Sequence, residues 1–365
     1  MKIAIIGCGQ IADAHIQEVS KIANAKVLAV CDSNRFMAKQ AALRFAIPGC
    51  YTDVRTMLVE VKPDVVHITT PPASHLSLAK ICMENGAHVF IEKPFTLNLP
   101  EAEELIDFAK KKGCLVCAGH NYTFDPAYQR LLDMHNEGKL GEVTHIDAAM
   151  GYNLKGPFGS IFMGDPRHWL HRLPGGVAQN NISHPISLIL GLMPAGNVLV
   201  KALGFRVRGE RYNDARDAFF DEVRAVLVAG HVTANLVFSC RSRPVQTFVH
   251  AYGARCAAIA CLESRTVRIT QGVRMPGPFG KVQWAAQDAK EAGREFFRNF
   301  KKILGARLHY FAGMESLIRQ FYAAIEGKQE MPIPMTEALR VTSVMDAIIN
   351  ECKANDDKGC FRGGV

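Results

Sequence analysis

Residues 2–12 read KIAIIGCGQIA, an apolar β-branched run followed at once by a glycine-rich turn and a helical pattern. In such a loop, Gly7 permits a tight turn, Gly9 lets a pyrophosphate approach the backbone, and Ala12 allows close packing of helix on strand. The N–H groups of the first helical residues, Gln10 and Ile11, then face the phosphates. A plain glycine turn has the same composition, so the loop by itself predicts a dinucleotide site only weakly.

Asp32 strengthens that prediction because it ends the next predicted strand, about 20 residues after the glycine loop. A carboxylate there accepts hydrogen bonds from the adenosine ribose hydroxyls and repels a 2′-phosphate. The position therefore favours NAD over NADP, although Arg35 offers a cation that a 2′-phosphate would suit. Asp32 could equally cap a helix that begins near Asn34, and the two roles are compatible.

Further along the first third of the chain, short β-branched runs alternate with helical patterns, which is typical of a parallel sheet built from βαβ units. This rhythm ends near residue 121, so residues 1–121 are predicted to form an α/β Rossmann domain. The predicted strands are Lys2 to Ile6, Lys26 to Cys31, Val65 to Ile68, His88 to Ile91 and Leu115 to Ala118.

After a helix over residues 127–137, longer alternating runs follow one another without helices between them, which predicts an antiparallel sheet. Residues 122–365 are therefore expected to form a second α+β domain on a large, mainly antiparallel open sheet. Its predicted strands cover residues 143–150, 198–205, 222–228, 231–240 and 246–252, and its closing helices cover 311–325 and 337–351. Residues 151–180 are predicted to form a long loop, and loops of this length inside compact domains are usually functional or disordered.

Composition excludes several classes of protein. A chain of 365 residues with 48% hydrophobic and 21% charged residues is typical of a two-domain globular protein. Apolar runs are too short for a membrane span, and eleven irregularly spaced cysteines without a secretory leader favour a reducing, cytoplasmic location. The pairs Cys114/Cys117 and His168/His171 lack a second ligand pair, so no metal site is expected.

Glu92, Lys93 and Pro94 end the fourth of these predicted strands, where the carboxyl ends of a parallel sheet face the ligand crevice. An ammonium group there could hold a substrate hydroxyl and stabilise a developing alkoxide. Taken alone, a lysine at a strand end is more often a solvated surface residue.

These motifs together resemble the glucose-fructose oxidoreductase, inositol dehydrogenase and rhizopine catabolism (Gfo/Idh/MocA) family of NAD(P)-dependent oxidoreductases. The resemblance rests on the glycine loop, Asp32, Thr70-Pro71 with His75, and Glu92-Lys93-Pro94. It continues through NYTFDP at residues 121–126, GKLGEV at 138–143, and Gly175-Gly176 with His184. Residues 193–310 carry little family pattern.

The resemblance implies a Rossmann domain, an open-sheet domain and an active site between them. It places cofactor-binding residues at Thr70, Pro71, His75, Glu92 and Lys93, and it implies a dimer or tetramer. Lys93 would also orient and polarise the reacting oxygen, while His184 would remove the hydroxyl proton as general base. The family's usual aspartate is replaced by Asn180, whose amide can orient a neighbour but contributes no charge.

The expected reaction is hydride transfer between the nicotinamide and a hydroxyl carbon of a sugar or sugar derivative, with a nucleotide-linked or acidic sugar favoured. Two alternatives are a regulatory NAD(P)-binding protein without catalysis and a sugar–sugar oxidoreductase that keeps its cofactor bound. Substrate-binding candidates on segments expected to border the cleft are Tyr122, Tyr152, Arg167, His168, His171 and Arg172.

Positive charge is concentrated in one part of the chain. The net charge is +8, yet residues 241–307 hold 13 basic and 4 acidic residues. They include a predicted amphipathic helix, Gln287 to Leu304. We expect its apolar stripe to pack on the domain's own sheet, since membrane contact is the less common use of such a helix and no nucleic-acid motif accompanies the charge.

Overall fold

The computed structural model describes residues 1–165, 167–205, 220–273, 275–305, 309 and 311–357. These residues form two compact units. The first comprises Met1–Asn121 with Gly313–Ser343, and the second comprises Tyr122–Ala312 with the residues from Val344 onward. The predicted boundary near residue 121 coincides with the first division, but the later segment Gly313–Ser343 belongs with the first unit and not with the second.

The first unit contains a six-stranded parallel sheet in the order β3-β2-β1-β4-β5-β6. The strands are β1 (Lys2–Ile6), β2 (Lys26–Cys31), β3 (Gly49–Tyr51), β4 (Val65–Ile68), β5 (His88–Ile91) and β6 (Val116–Ala118). Its helices are α1 (Gln10–Ser20), α2 (Arg35–Arg44), α3 (Val54–Val61), α4 (His75–Glu84), α5 (Leu99–Lys112) and α10 (Ala312–Ile325, with Ala312 assigned to the second unit).

This strand order is that of a doubly wound Rossmann sheet, whose direction of winding reverses between β1 and β4. Strands β1, β4 and β5 are almost entirely buried, which explains why they read as continuous apolar runs. The prediction missed β3, because three residues carry too little periodicity to be recognised.

The second unit contains a seven-stranded sheet in the order β13-β12-β11-β7-β10-β9-β8. Its strands are β7 (Val143–Gly151), β8 (Leu199–Phe205), β9 (Glu222–Ala229), β10 (Val232–Ser239), β11 (Thr247–Gly253), β12 (Cys256–Cys261) and β13 (Thr266–Gln271). Its helices are α6 (Pro126–Asn136), α7 (Gly159–Gly164), α8 (Gly176–Leu190) and α9 (Gly277–Leu304), and α11 (Met335–Asp357) contributes its C-terminal part.

The predicted mainly antiparallel sheet is confirmed, with one exception: β7 and β10, the two central strands, run parallel. Helix α8 packs against β7, β10 and β11, so one face of the sheet is covered. The prediction missed β12 and β13. Residues 151–180 are a loop only in part, since α7 and a 3-10 turn over Trp169–Arg172 lie within them.

None of the helices formed by these described residues has the length and hydropathy needed to cross a bilayer. The ten cysteines within the described ranges are all free thiols.

Candidate active site

The glycine loop of the first unit joins β1 to α1 at the carboxyl edge of the sheet. Gly7 has φ +93°, and a Cβ there would come within 2.9 Å of Thr69 and Thr70 backbone atoms, so only glycine fits. Gly9 is the N-cap of α1, offers no side chain to the helix, and a Cβ there would meet nothing within 4 Å. Open space therefore lies in front of α1, whose first N–H groups are not capped by a side chain.

Asp32 follows β2 at the same edge of the sheet. Its Oδ2 accepts a hydrogen bond from the Cys8 N–H at 2.8 Å, and its Oδ1 accepts one from the Asn34 N–H at 2.8 Å. Each oxygen therefore keeps accepting capacity, and the carboxylate is oriented by the glycine loop itself. The N-cap of α2 is Asn34, which accepts from the Phe36 N–H, so the capping role considered for Asp32 is wrong. Arg35 is exposed at the start of α2.

Thr70, Pro71 and His75 lie on the turn between β4 and α4. His75 is fully buried. Its Nε2 lies 2.9 Å from the Thr70 carbonyl oxygen, and its Nδ1 lies 3.1 Å from that of Pro94. His75 thus ties the loop after β4 to the loop after β5. We therefore assign His75 the role of linking these two loops. Thr70 and Pro71, in contrast, are accessible to solvent.

Glu92 and Lys93 follow β5, and Glu92 lies at one end of a buried chain of hydrogen bonds. Its Oε1 lies 2.8 Å from His15 Nε2 on α1. His15 Nδ1 lies 2.8 Å from His67 Nδ1 on β4, and His67 Nε2 lies 2.7 Å from the Tyr322 hydroxyl on α10. We call these four residues the Glu92–Tyr322 relay. Four separate elements of the first unit meet in it.

The proton positions in the relay follow from its chemistry. Burial alone would raise the pKa of Glu92, but the hydrogen bond from His15 and the charge of Lys93 hold that pKa below its usual value. Glu92 is therefore an acceptor only and receives the Nε2–H of His15; in the neutral tautomer of His15 the acceptor is then Nδ1. His67 then donates from Nδ1 and accepts the Tyr322 O–H on Nε2. Every polar atom of the chain is satisfied, with each donor directed toward Glu92.

The charge of Glu92 also affects the pKa values of Lys93 and His120. Burial lowers the pKa of Lys93, while the negative charge of Glu92 acts in the opposite direction and favours the ammonium form. His120, two residues beyond β6, is 1% exposed, and burial lowers its pKa to about 4 despite the Glu92 charge. His120 is therefore neutral at physiological pH.

In the second unit, His184 and Asn180 lie one turn apart on α8, where residues four apart share a face. Among the α8 residues, Asn180 alone is more than marginally accessible to solvent. The His184 ring is 4% exposed and stacks on the Tyr122 ring, with centroids 3.8 Å apart and planes 16° from parallel. The ring of His184 is thereby held in one orientation.

The paired glycines Gly175 and Gly176 allow helix α8 to begin at this point. A Cβ on Gly175 would lie 2.4 Å from Ile349, and Gly176 has φ +53°. The Gly175 N–H donates to Gln179 Oε1 at 2.9 Å, which closes the first turn.

Of the other substrate candidates, two histidines bond to their own segment, two arginines are exposed and one tyrosine is partly buried. His168 accepts from the Leu170 N–H, and His171 Nε2 lies 2.9 Å from the Phe162 carbonyl, so both stabilise the segment locally. Arg167 and Arg172 are exposed; Arg167 pairs with Asp165, and Arg172 donates to the Arg167 carbonyl at 3.2 Å. Tyr152 is partly buried, and burial raises its pKa to about 12.

The structure thus brings Gly7, Gly9, Asp32, Thr70 and Lys93 to one edge of the first sheet, and Tyr122, Asn180 and His184 together in the second unit. The sequence analysis missed His15, His67, His120 and Tyr322. One signal for His67 was available: a histidine inside an otherwise apolar strand requires a buried partner.

The fold and this edge of the sheet define a dinucleotide-binding Rossmann protein with an appended open-sheet domain. Residues 1–120 match the family model GFO_IDH_MocA, described as an oxidoreductase family with an NAD-binding Rossmann fold. The match to the Gfo/Idh/MocA family model lies within the first unit and agrees with the resemblance that the sequence motifs indicated.

Curated relatives match over part of their length. The chain is 33% identical to D-glucoside 3-dehydrogenase of Escherichia coli (strain K12) over 39% of this chain and 41% of that protein. It is 34% identical to UDP-N-acetylglucosamine 3-dehydrogenase of Acidithiobacillus ferrooxidans over 36% of this chain and 40% of that protein. Each alignment therefore covers less than half of the relative.

Among solved structures, the WlbA dehydrogenase from Bordetella pertussis, in complex with NADH and UDP-GlcNAcA, is similar with a TM-score of 0.77. The superposition covers 97% of this chain and 96% of that one at 15% identity. This similarity supports the fold of the whole chain.

The residues present fit NAD. The open space in front of Gly9 accepts a pyrophosphate on an uncapped helix terminus, and the Asp32 carboxylate is oriented to receive ribose hydroxyls. A 2′-phosphate would meet that carboxylate.

Proposed function

We propose that this protein is an NAD-dependent oxidoreductase that acts on a hydroxyl of a sugar or sugar derivative. The observation that carries the proposal is the position of Lys93 beside the ionised Glu92, at the same sheet edge as the NAD-binding loop. When bound, NAD supplies the hydride acceptor.

Lys93 is assigned the polarising role. Its ammonium would donate a hydrogen bond to the substrate hydroxyl oxygen and stabilise the alkoxide that develops as the hydride departs. The Glu92–Tyr322 relay supports this role because it keeps Glu92 ionised, and the ionised carboxylate favours the charged form of Lys93.

His184 is assigned the role of general base for the same hydroxyl. Stacking on Tyr122 restricts the imidazole to one plane, so a ring nitrogen is presented in a constant direction. Asn180 on the same face of α8 would position either the imidazole or the substrate. Its amide cannot replace the charge of a carboxylate, so the proton must be accepted by His184 itself.

The favoured substrate class is a nucleotide-linked or acidic sugar. The names of two relatives, a UDP-N-acetylglucosamine dehydrogenase and a glucoside dehydrogenase, support a hexose derivative. The exposed guanidinium groups of Arg167 and Arg172 in residues 151–180 favour the anionic form of such a sugar.

The test is formation of NADH, followed by absorbance, with NAD⁺ and a panel of UDP-sugars, sugar acids, neutral hexoses and polyols. We expect turnover with at least one hexose derivative and higher kcat/KM for the anionic ones. Efficient turnover of neutral polyols alone would overturn the substrate class. NADH binding without turnover of any member would favour the regulatory alternative.

Replacement of the general base gives a sharper test. We expect His184→Ala to lower kcat by about 10² to 10⁴ because proton removal then falls to water. His231→Ala, which removes an exposed histidine from the same unit, is the matched control and should retain wild-type kcat. Equal kcat values for the two variants would show that His184 is not the base.

A further inference from the structure

The apolar stripe of helix α9 faces outward, opposite to the predicted orientation. The sequence predicted that its apolar stripe packs on the domain's own sheet. Instead, Val282, Phe296, Phe297 and Leu304 are exposed by 68%, 63%, 64% and 73%, and Phe300 by 49%. The expectation was wrong because α9 is held by a polar anchor and not by its apolar residues.

That anchor is Glu295, which is 1% exposed. Its carboxylate accepts two hydrogen bonds from Arg130 of α6 at 2.8 Å each, and one from the N–H of Val267 on the edge strand β13 at 2.9 Å. Asn299, one turn further, donates to the Ser264 carbonyl. These contacts fix which side of α9 faces the unit.

The opposite side is a continuous apolar stripe at helical spacing. It runs Val282, Ala286, Ala289, Gly293, Phe296, Phe300 and Leu304, in steps of three or four residues. Apart from Gly293, which is partly covered, these residues are exposed, and Phe279, Phe297 and Ile303 widen the stripe. Contiguous apolar surface of this extent on a folded protein marks an interaction site.

Charge identifies what covers the stripe. Lys290, Arg294 and Lys301 form one flank of it, and all three are exposed. The acidic residues of α9 are the exposed Asp288, Glu291, which pairs with Arg294 at 3.1 Å, and the buried Glu295, and by spacing none of them lies on the stripe. The stripe and its flank therefore combine phenylalanine side chains with a net positive charge, because Lys290 and Lys301 are exposed beside the pair of Arg294 and Glu291.

A second copy of the chain fits this surface less well. An antiparallel pair of α9 helices related by a two-fold axis would place the flank of Lys290, Arg294 and Lys301 beside the identical flank of its partner. Like charges would then meet along the length of the contact. An anionic lipid surface has the complementary charge and accepts the apolar side chains below its headgroups.

We propose that α9 is an interfacial helix that binds the protein to anionic lipid bilayers. The apolar stripe enters the boundary between headgroups and acyl chains, while Lys290, Arg294 and Lys301 contact lipid phosphates. The protein would then lie on the bilayer surface through this helix and would not cross it.

The test is flotation of the full chain with vesicles of phosphatidylcholine alone and of phosphatidylcholine containing phosphatidylglycerol. We expect binding to the anionic vesicles, weak binding to the neutral ones, and loss of binding at high salt. The double variant Phe297→Ser/Phe300→Ser should reduce the bound fraction about tenfold or more. Lys290→Gln/Lys301→Gln should weaken binding to anionic vesicles only.

Matched control variants remove exposed apolar and lysine side chains from helices other than α9. Leu43→Ser/Val59→Ser removes two side chains exposed by 72% and 63% on α2 and α3, and Lys110→Gln/Lys111→Gln removes two lysines of α5. Both should bind vesicles as the wild type does, and circular dichroism would verify that every variant is folded.

Several results would overturn the proposal. These are absence of wild-type binding to anionic vesicles, equal binding to neutral vesicles, or unchanged binding of the phenylalanine variant. Sedimentation velocity tests whether a second copy of the chain covers the stripe instead. That result would be a wild-type oligomer that dissociates in Phe297→Ser/Phe300→Ser, with no vesicle binding by either protein.

Discussion

At the residue scale, Asp32 shows how a motif becomes a site. Its place after β2 could be predicted from spacing, but its orientation depends on two backbone donors, Cys8 and Asn34, that only the folded loop provides. Because those donors hold the carboxylate in one position, its contribution to NAD binding should be measurable.

We expect Asp32→Ala to weaken NADH binding by about tenfold or more, since hydrogen bonds to a charged group are lost. NADPH binding should weaken less or improve, because the repulsion of the 2′-phosphate disappears as well. Titration of nicotinamide fluorescence measures both affinities, and their ratio is insensitive to general destabilisation. Asp107→Ala on the exposed side of α5 is the control. An unchanged ratio would mean that Asp32 does not contact the ribose.

At the element scale, the Glu92–Tyr322 relay joins α1, β4, α10 and the end of β5 through three hydrogen bonds. Sequence periodicity could place each element but not pair them, because the partners are up to 255 residues apart. The orientation of helix α9 likewise depends on a tertiary contact. Its periodicity predicted an amphipathic helix correctly, whereas the buried Glu295 decided which side faces outward.

Replacement of Tyr322 tests how much the buried hydrogen bond between its hydroxyl and His67 contributes to stability. Tyr322→Phe keeps the ring but leaves His67 Nε2 without its donor in the core, which should cost about 1–3 kcal/mol of unfolding free energy. Tyr51→Phe removes a hydroxyl that bonds Glu60 at the surface, 3.0 Å away, and should cost less than about 0.5 kcal/mol. Urea unfolding of both variants measures the difference. Equal losses would show that the relay hydrogen bond is not formed.

At the scale of the whole molecule, several buried or half-buried histidines couple stability to pH. The pKa values of His67, His75, His88 and His120 are all lowered, in each case chiefly by burial. The unfolded chain binds protons at these sites below about pH 6.5, whereas the folded chain does not. Stability should therefore fall as the pH decreases from 7 to 5.

His120 isolates one part of this dependence, since its folded pKa is about 4. Between pH 6.5 and 4 this site should cost about 1.4 kcal/mol of stability per pH unit. We expect His120→Gln to show a shallower decline of unfolding free energy with falling pH than the wild type. His231→Gln, at an exposed position, should leave the decline unchanged. Parallel curves for His120→Gln and the wild type would contradict the buried neutral state.

The class of fold and the glycine loop followed by Asp32 could be predicted from the sequence because they depend on local spacing along the chain, and the roles of Lys93 and His184 stay predictions. Four features became visible only in the folded chain: the Glu92–Tyr322 relay, the parallel pairing of β7 with β10, the membership of Gly313–Ser343 in the first unit, and the outward stripe of α9. The physical reason is that each of these depends on partners distant in sequence. Periodicity shows that a face is apolar or that a buried polar group needs a partner, but packing selects the partner.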